Sequence, residues 1–408
     1  MAAESGRNAA HDIVLFGATG FTGGLTAEYL AAHAPADCRW ALAGRNRTKL
    51  EAVRSRLAEI NPDCEKLPLL HADANDSASL REVAGNASVV ITTVGPYMTY
   101  GEQLVAACAE VGTDYVDLTG EPEFADLMYV RYQAKAVASG ARIVHACGFD
   151  SIPHDLGAYF TVQQLPQDRP IHVDGFLRGG GQPSGGTLAS ALDILSRTTQ
   201  TRDAAKQRKK IEPTPPGRSA KAVAGKPRRD EIAQSWVVPL PTIDPQIVAR
   251  SARTLDVYGP DFTYSHYAAI KRLPMLAGGA VGVGALAGLA QIGPVRERLG
   301  SLRKPGEGPS ETQREKSWFT VRFHGTAGDA EVVTEVSGGD PGYGETSKML
   351  AESALSLAFD DLPARAGQLT PAAAMGNALI ERLRRAGIRF EVLAGKPTRP
   401  PSRHLTGS

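Results

Sequence analysis

Short apolar runs and longer amphipathic stretches alternate along the N-terminal third of the chain. The runs fall at residues 12–16, 40–43, 67–71, 89–94, 115–118 and 142–146. Each is too short for a stable helix and is rich in aliphatic residues. Between them lie stretches with apolar positions at helical spacing, such as Leu25, Tyr29 and Leu30. Strands separated by helices predict parallel pairing and a doubly wound α/β sheet. Residues 88–94, Ser-Val-Val-Ile-Thr-Thr-Val, do not alternate apolar with polar. Such continuity fits a strand covered on both faces.

The regular alternation ends after Cys147-Gly-Phe-Asp-Ser-Ile-Pro-His154. A strand is expected at 171–177, a glycine-rich loop at 179–186 and a helix from Thr187. Residues 202–230 hold ten Lys or Arg against three Asp or Glu, with several prolines, and predict an exposed basic loop. Strands are expected at 236–239, 263–270, 318–324 and 331–336. A helix is expected at 343–359. Another starts at Thr370-Pro371, a cap followed by proline in the first turn, and runs to about 386. Residues 273–292 carry no charge over 20 positions but contain Pro274 and five glycines. That length approaches a bilayer span, while the composition favours a buried helix, an apolar lid or a segment that contacts lipid.

Composition adds bounds. The 408 residues are 42% hydrophobic and 22% charged, which suits a soluble protein of two domains. A net charge of +1 provides no global field to attract nucleic acid. Cys38, Cys64, Cys108 and Cys147 are widely spaced and form no Cys/His cluster, so no metal site is expected. The first residues show no charged-then-apolar leader pattern, and a cytoplasmic protein is expected.

The most specific chemistry is Gly17-Ala-Thr-Gly20-Phe-Thr-Gly23, between the first predicted strand and helix. In a dinucleotide site, Gly17 makes the tight turn, Gly20 admits the pyrophosphate and Gly23 allows close helix–strand packing. Thr19, Phe21 and Thr22 complete the loop, and the helix N-terminus offers unpaired N–H groups to phosphate. NAD-specific sites place a carboxylate about 20 residues further on, at the end of the second strand. Here that position reads Gly44-Arg45-Asn46-Arg47. Arg45 and Arg47 suit a 2′-phosphate, so NADP(H) is the expected cofactor. Asp73, after the third strand, is a candidate partner for the adenine amino group. Thr93, Gly95 and Pro96 follow the fourth strand, where the nicotinamide ribose lies in such sheets. Tyr97, Tyr100, Glu121, Asp150 and His154 are candidates along the same carboxyl edge. Tyr267-Ala-Ala-Ile-Lys271 imitates the Tyr-x-x-x-Lys pair of short-chain dehydrogenases. Its alternating surroundings predict a strand, which cannot present both side chains beside a nicotinamide.

Taken together, Gly17–Gly23, Ala43-Gly44-Arg45, Thr92–Tyr97, Asp117-Leu-Thr-Gly-Glu121 and Cys147–Pro153 resemble the saccharopine dehydrogenase-like oxidoreductases. Ser184-Gly-Gly-Thr187, Gly306–Pro309, Pro341-Gly-Tyr343 and Leu369–Ala373 extend the resemblance over nearly the whole chain. Within that family the chain is most similar to the mycobacterial trans-acting enoyl reductases. The resemblance implies a Rossmann-like NADP-binding domain at 1–152 and an α+β substrate domain at 153–365. It also implies a C-terminal part, 366–408, whose helix returns to the nucleotide domain. It further implies reduction of a C=C bond in a polyketide or fatty-acyl chain, presented by a carrier protein of a polyketide synthase. For that reaction, their predicted position at the carboxyl edge of the sheet makes Tyr97 the expected proton donor, with His154 or Asp150 as relay. Reduction of an imine or amino-acid adduct, and a non-catalytic NADP-bound role on a lipid surface, remain open. A homodimer is the default expectation from symmetry.

Overall fold

β1 (His11–Phe16) is the strand around which the first sheet is built. In this computed structural model, which describes residues 9–180, 197–213, 215–270 and 309–395, β1 lies between β2 (Trp40–Gly44) and β4 (Ala87–Thr92), parallel to both. β3 (Leu69–His71) flanks β2. β5 (Asp114–Val116) and β6 (Arg142–Val144) continue the sheet beyond β4, again in parallel. Ile13, Val14 and Leu15 are fully buried. Ile13 and Leu15 enter one core, and Val14 and Phe16 the other. Both faces are therefore dry, which explains why the run carries no polar alternation. The covering helices are α1 (Phe21–His33), α2 (Arg47–Ile60), α3 (Ser77–Gly85), α4 (Tyr97–Tyr100), α5 (Glu102–Val111) and α6 (Pro122–Ser139).

α7 (Ile152–Val162) leads into a second, mixed sheet. It contains β7 (Ile171–Gly180), β8 (Ser219–Ala222), β9 (Arg228–Asp230), β10 (Ser235–Pro239), β11 (Asp261–Ile270), β12 (Trp318–Ala327) and β13 (Ala330–Gly338). β7 and β11 are parallel, whereas β12 is antiparallel to both β7 and β13. α7 lies across β12 and β13. A Cβ on its Gly157 would stand 2.3 Å from the Phe323 ring, so only glycine lets the helix settle there.

Residues 202–230 are mostly exposed, as their charge suggests, but they are not a loop. They contain most of α8 (Thr198–Ile211), then β8 and β9. The cause is a buried ionic network. Arg208, 3% exposed, pairs with Asp126 of α6 and with Glu212. Glu212 also pairs with Arg250 at 3.0 Å and Arg253 at 2.7 Å, both on α9 (Asp244–Thr254). Two carboxylates, Asp126 of α6 and Glu212, thus hold Arg208 of this basic stretch inside. A short helix, α10 (Glu311–Glu315), precedes β12.

The chain returns to the first sheet earlier than residue 366. α11 (Gly344–Phe359) already packs on α1, β4 and β5. β14 (Gly367–Leu369) then pairs in parallel with β6. Thr370 caps α12 (Pro371–Ala374), its hydroxyl accepting from the Ala373 N–H at 3.3 Å. The single helix expected here is divided, because Gly376 adopts φ +46° before α13 (Gly376–Arg385). β15 (Arg389–Gly395) then leaves the nucleotide domain and pairs with β13. Residues 366–395 are therefore shared between the two sheets. The glycine-rich stretch beyond Gly180, the helix expected from Thr187 and the apolar segment 273–292 lie outside the described residues. Among the described residues, no helix is long and apolar enough to cross a membrane.

Glu212 gives a test of the ionic network. Burial alone would push its carboxyl up, but Arg250, Arg208 and Arg253 hold it below the ordinary glutamate pKa of 4.5. Its contribution is complete above that ordinary value and is lost as pH falls through the lowered one. Glu212→Gln leaves buried guanidinium groups without their counter-charge and should cost about 3–5 kcal/mol at neutral pH. Urea midpoints of both proteins, at neutral pH and below the lowered value, check this. The deficit of the variant should shrink in acid.

Candidate active site

The turn after β1 has the geometry of a phosphate cradle. Gly17 adopts φ +102°, and a Cβ there would lie 2.6 Å from Thr93 Oγ1. A Cβ on Gly23 would lie 2.1 Å from the Gly17 carbonyl oxygen. The Gly20 N–H donates to that carbonyl at 3.0 Å, and Thr93 Oγ1 donates to it at 3.2 Å. Gly20 is the N-cap of α1 and supplies no side-chain acceptor. The first N–H groups of α1 are left to an external anion. Thr19 and Gly20 are exposed at the turn. Phe21 and Thr22 are half-buried and tied to the far end of the chain. Phe21 meets the Tyr343 ring edge-on at 4.8 Å, and the Thr22 carbonyl accepts from Ser347 Oγ at 3.3 Å.

Arg45 is exposed immediately after β2. Arg47, the first residue of α2, is also exposed and pairs with Glu51 at 3.2 Å. Between them Asn46 caps α2 by accepting from the Lys49 N–H. Asp73 holds its own turn, accepting from the Asn75 N–H at 2.9 Å. Gly95 and Pro96 stand exposed beyond β4.

Two candidates of the carboxyl edge turn out to hold the scaffold. The Tyr97 hydroxyl is buried, donates to the Thr92 carbonyl at 3.2 Å and accepts from the Leu118 N–H at 3.1 Å. Burial pushes this phenol well above its ordinary range. Glu121 accepts from the N–H groups of Tyr97 and Met98, capping α4. Beneath them lies a group that the sequence reading did not single out. Asp117 accepts from Tyr115 Oη at 2.9 Å, faces His145 Nδ1 at 2.6 Å and takes the N–H groups of Thr119 and Ala146. This buried carboxylate ties the loops after β5 and β6 together.

The loop after β6 gathers the remaining candidates. Its Phe149 N–H donates to Thr346 Oγ1 at 3.1 Å, and Ser151 adopts φ +121° as α7 begins. Asp150 is half-buried there, and burial with the nearby Asp244 charge pushes its carboxyl up to about 6. His154 lies on α7, with Nδ1 3.0 Å from Asp244 Oδ1. Asp244 Oδ2 is 3.6 Å from Nε2 of His266, on β11. Burial drives the His266 imidazole down to about 3, leaving it neutral. Burial opposes ionisation of Asp244, but His154 and His266 hold its carboxyl well below the usual range. The structure thus joins His154 to Asp244 and His266, places Asp150 within their electrostatic reach, and commits the Tyr97 hydroxyl elsewhere. The helix carrying Asp244 has no counterpart among the predicted elements. The one available signal was the Asp-Pro pair that opens it.

Residues 13–144 match the saccharopine dehydrogenase NADP binding domain, which makes NADP the cofactor of this fold. A provisionally named trans-acting enoyl reductase of Mycobacterium tuberculosis is 41% identical, over 93% of this chain and 97% of its own length. A trans-acting enoyl reductase of Mycobacterium ulcerans is 37% identical over 92% and 96%. Among solved structures, the saccharopine dehydrogenase of Saccharomyces cerevisiae superposes with a TM-score of 0.56. It shares 12% identity and covers 94% of this chain and 100% of its own, a likeness of fold.

If Arg45 and Arg47 hold the 2′-phosphate, replacing both with alanine removes charge-assisted hydrogen bonds that only NADPH makes. The Kd for NADPH should rise about 10- to 100-fold, with NADH little changed. Fluorescence titrations with both dinucleotides decide this, and equal weakening of both would remove the assignment.

Proposed function

Because this chain belongs to the saccharopine dehydrogenase-like oxidoreductases, alongside the trans-acting enoyl reductases, we propose that it is itself an NADPH-dependent enoyl reductase acting in trans. Its substrate would be the α,β-unsaturated thioester of a growing polyketide or fatty-acyl chain in lipid synthesis, carried on a separate synthase. The observation that carries this reading is the similarity to relatives of that name over more than nine-tenths of the chain. NADP-dependent oxidation–reduction is the firm part, since the nucleotide domain and its glycine turn are both in place.

The residues divide the work as follows. The α1 N-terminus, Gly17, Gly20 and Gly23 hold the pyrophosphate, and Arg45 with Arg47 holds the 2′-phosphate. Asp73 lies toward the adenine, and Thr93, Gly95 and Pro96 toward the nicotinamide ribose. NADPH, when bound, supplies hydride for the β-carbon. Asp150 supplies the proton for the α-carbon, because a half-buried carboxyl raised to about 6 retains a proton better than an ordinary aspartate. His154, near Asp150, acts on that carboxyl rather than on substrate, which makes it a positioning residue. Tyr97, the donor expected from its place at the carboxyl edge of the sheet, takes no part, because its hydroxyl is committed to Thr92 and Leu118. A carrier-protein partner, a homodimer and contact with lipid through residues 273–292 belong to the same proposal.

The test is NADPH consumption with a carrier-bound enoyl thioester, compared with an imino acid. Saturation of the thioester is expected. Turnover of the imino acid alone would favour the amino-acid reading. NADPH binding without transfer to either would favour a non-catalytic role. Asp150→Asn should lower kcat by about 100-fold or more while leaving NADPH affinity unchanged.

A further inference from the structure

His154, Asp244 and His266 meet from three separate elements, α7, α9 and β11. They are 1%, 2% and 4% exposed, so solvent does not serve them. One ligand atom from each can be chosen so that all lie within 4.8 Å of one another. The closest approaches are 3.0 Å from His154 Nδ1 to Asp244 Oδ1 and 3.6 Å from His266 Nε2 to Asp244 Oδ2. Ligands about 2 Å from a tetrahedral ion stand about 3.3 Å apart, which lies between these values. The two imidazole planes cross at 80°, with centroids 4.8 Å apart, and so do not stack.

The hydrogen-bond inventory points inward as well. His154 Nδ1 and Nε2, Asp244 Oδ1 and His266 Nε2 are all buried without a hydrogen-bond partner. Buried polar atoms are otherwise paired as a rule. The outward atoms of the same residues do have partners. Tyr264 Oη lies 3.0 Å from His266 Nδ1, and Thr242 Oγ1 donates to Asp244 Oδ2. A proton on His266 Nδ1 directed at Tyr264 leaves the Nε2 lone pair facing Asp244, the orientation seen around ligated histidines.

We propose that His154, Asp244 and His266 bind one divalent transition-metal ion of the zinc class. Two imidazoles and a carboxylate select zinc, cobalt or nickel over magnesium and calcium, which prefer all-oxygen shells. Three protein ligands leave a fourth position to water. The bound ion takes one of the two His154 nitrogens, an Asp244 oxygen and His266 Nε2, and links α7, α9 and β11 across the second domain. The site stands independently of the enoyl substrate, so a failed reductase assay leaves it intact.

The experiment uses the full-length protein, stripped with chelator and titrated with Zn²⁺ alone and with Co²⁺ alone. One ion per chain is expected, with visible absorption bands of a tetrahedral Co²⁺ centre and a higher Tm on Zn²⁺ loading. His266→Ala should weaken Co²⁺ binding by more than about 100-fold, and Tyr264→Phe by about 10-fold, with His172→Ala unchanged. If His266→Ala fails to fold, the Co²⁺ spectrum of the unaltered chain and of Tyr264→Phe decides. Absence of a stoichiometric ion, a Co²⁺ spectrum without those bands, or equal loss in His172→Ala overturns the site.

Discussion

Gly23 and the Gly17 carbonyl stand so close that a methyl group on Gly23 would sit 2.1 Å from the oxygen. That approach brings α1 down onto the end of β1 and aims its first N–H groups into the crevice. It also fixes what can lie around it. The Gly17 carbonyl accepts from Gly20 N and Thr93 Oγ1, so the turns after β1 and β4 share one acceptor.

The second domain is attached to that construction by the return of the chain. Ser347 on α11 donates to the Thr22 carbonyl, Tyr343 packs on Phe21, and Thr346 accepts from the Phe149 N–H. One turn of α11 thus touches both the dinucleotide loop and the loop that carries Asp150. Burial supplies the rest of the chemistry. Away from water, Asp150 gains proton affinity and His266 loses it. The two groups differ because one is favoured neutral as an acid and the other as a base.

Buried polar groups play two roles in this molecule. Asp117, Glu121 and Tyr97 satisfy backbone N–H groups where loops leave the first sheet, and Arg208 with Glu212 fastens α8. These contacts fix loops and helices in place and serve as scaffold. The His154–Asp244–His266 group keeps its unpaired atoms on the inside. Residue type alone does not separate the two roles. An aspartate after a parallel strand looks the same in sequence whether it holds a turn, as Asp73 does, or pins a histidine, as Asp117 does.

The sequence by itself determined the nucleotide domain. Local patterns suffice there, because short apolar strands buried on both faces and glycines forced by close backbone contact leave their mark on adjacent residues. It also singled out Arg45 and Arg47, which follow a strand end whose place in the crevice is set by the doubly wound order. Tertiary structure alone decided the folding of residues 202–230 into regular elements around a buried Arg208, the commitment of the Tyr97 hydroxyl and the meeting of His154 with Asp244 and His266. Each depends on partners far along the chain: Asp126 for Arg208, Leu118 for Tyr97, and α9 and β11 for His154. A charge or hydroxyl has no periodicity to show which distant group it will face, and burial that shifts a pKa exists only after the elements have packed.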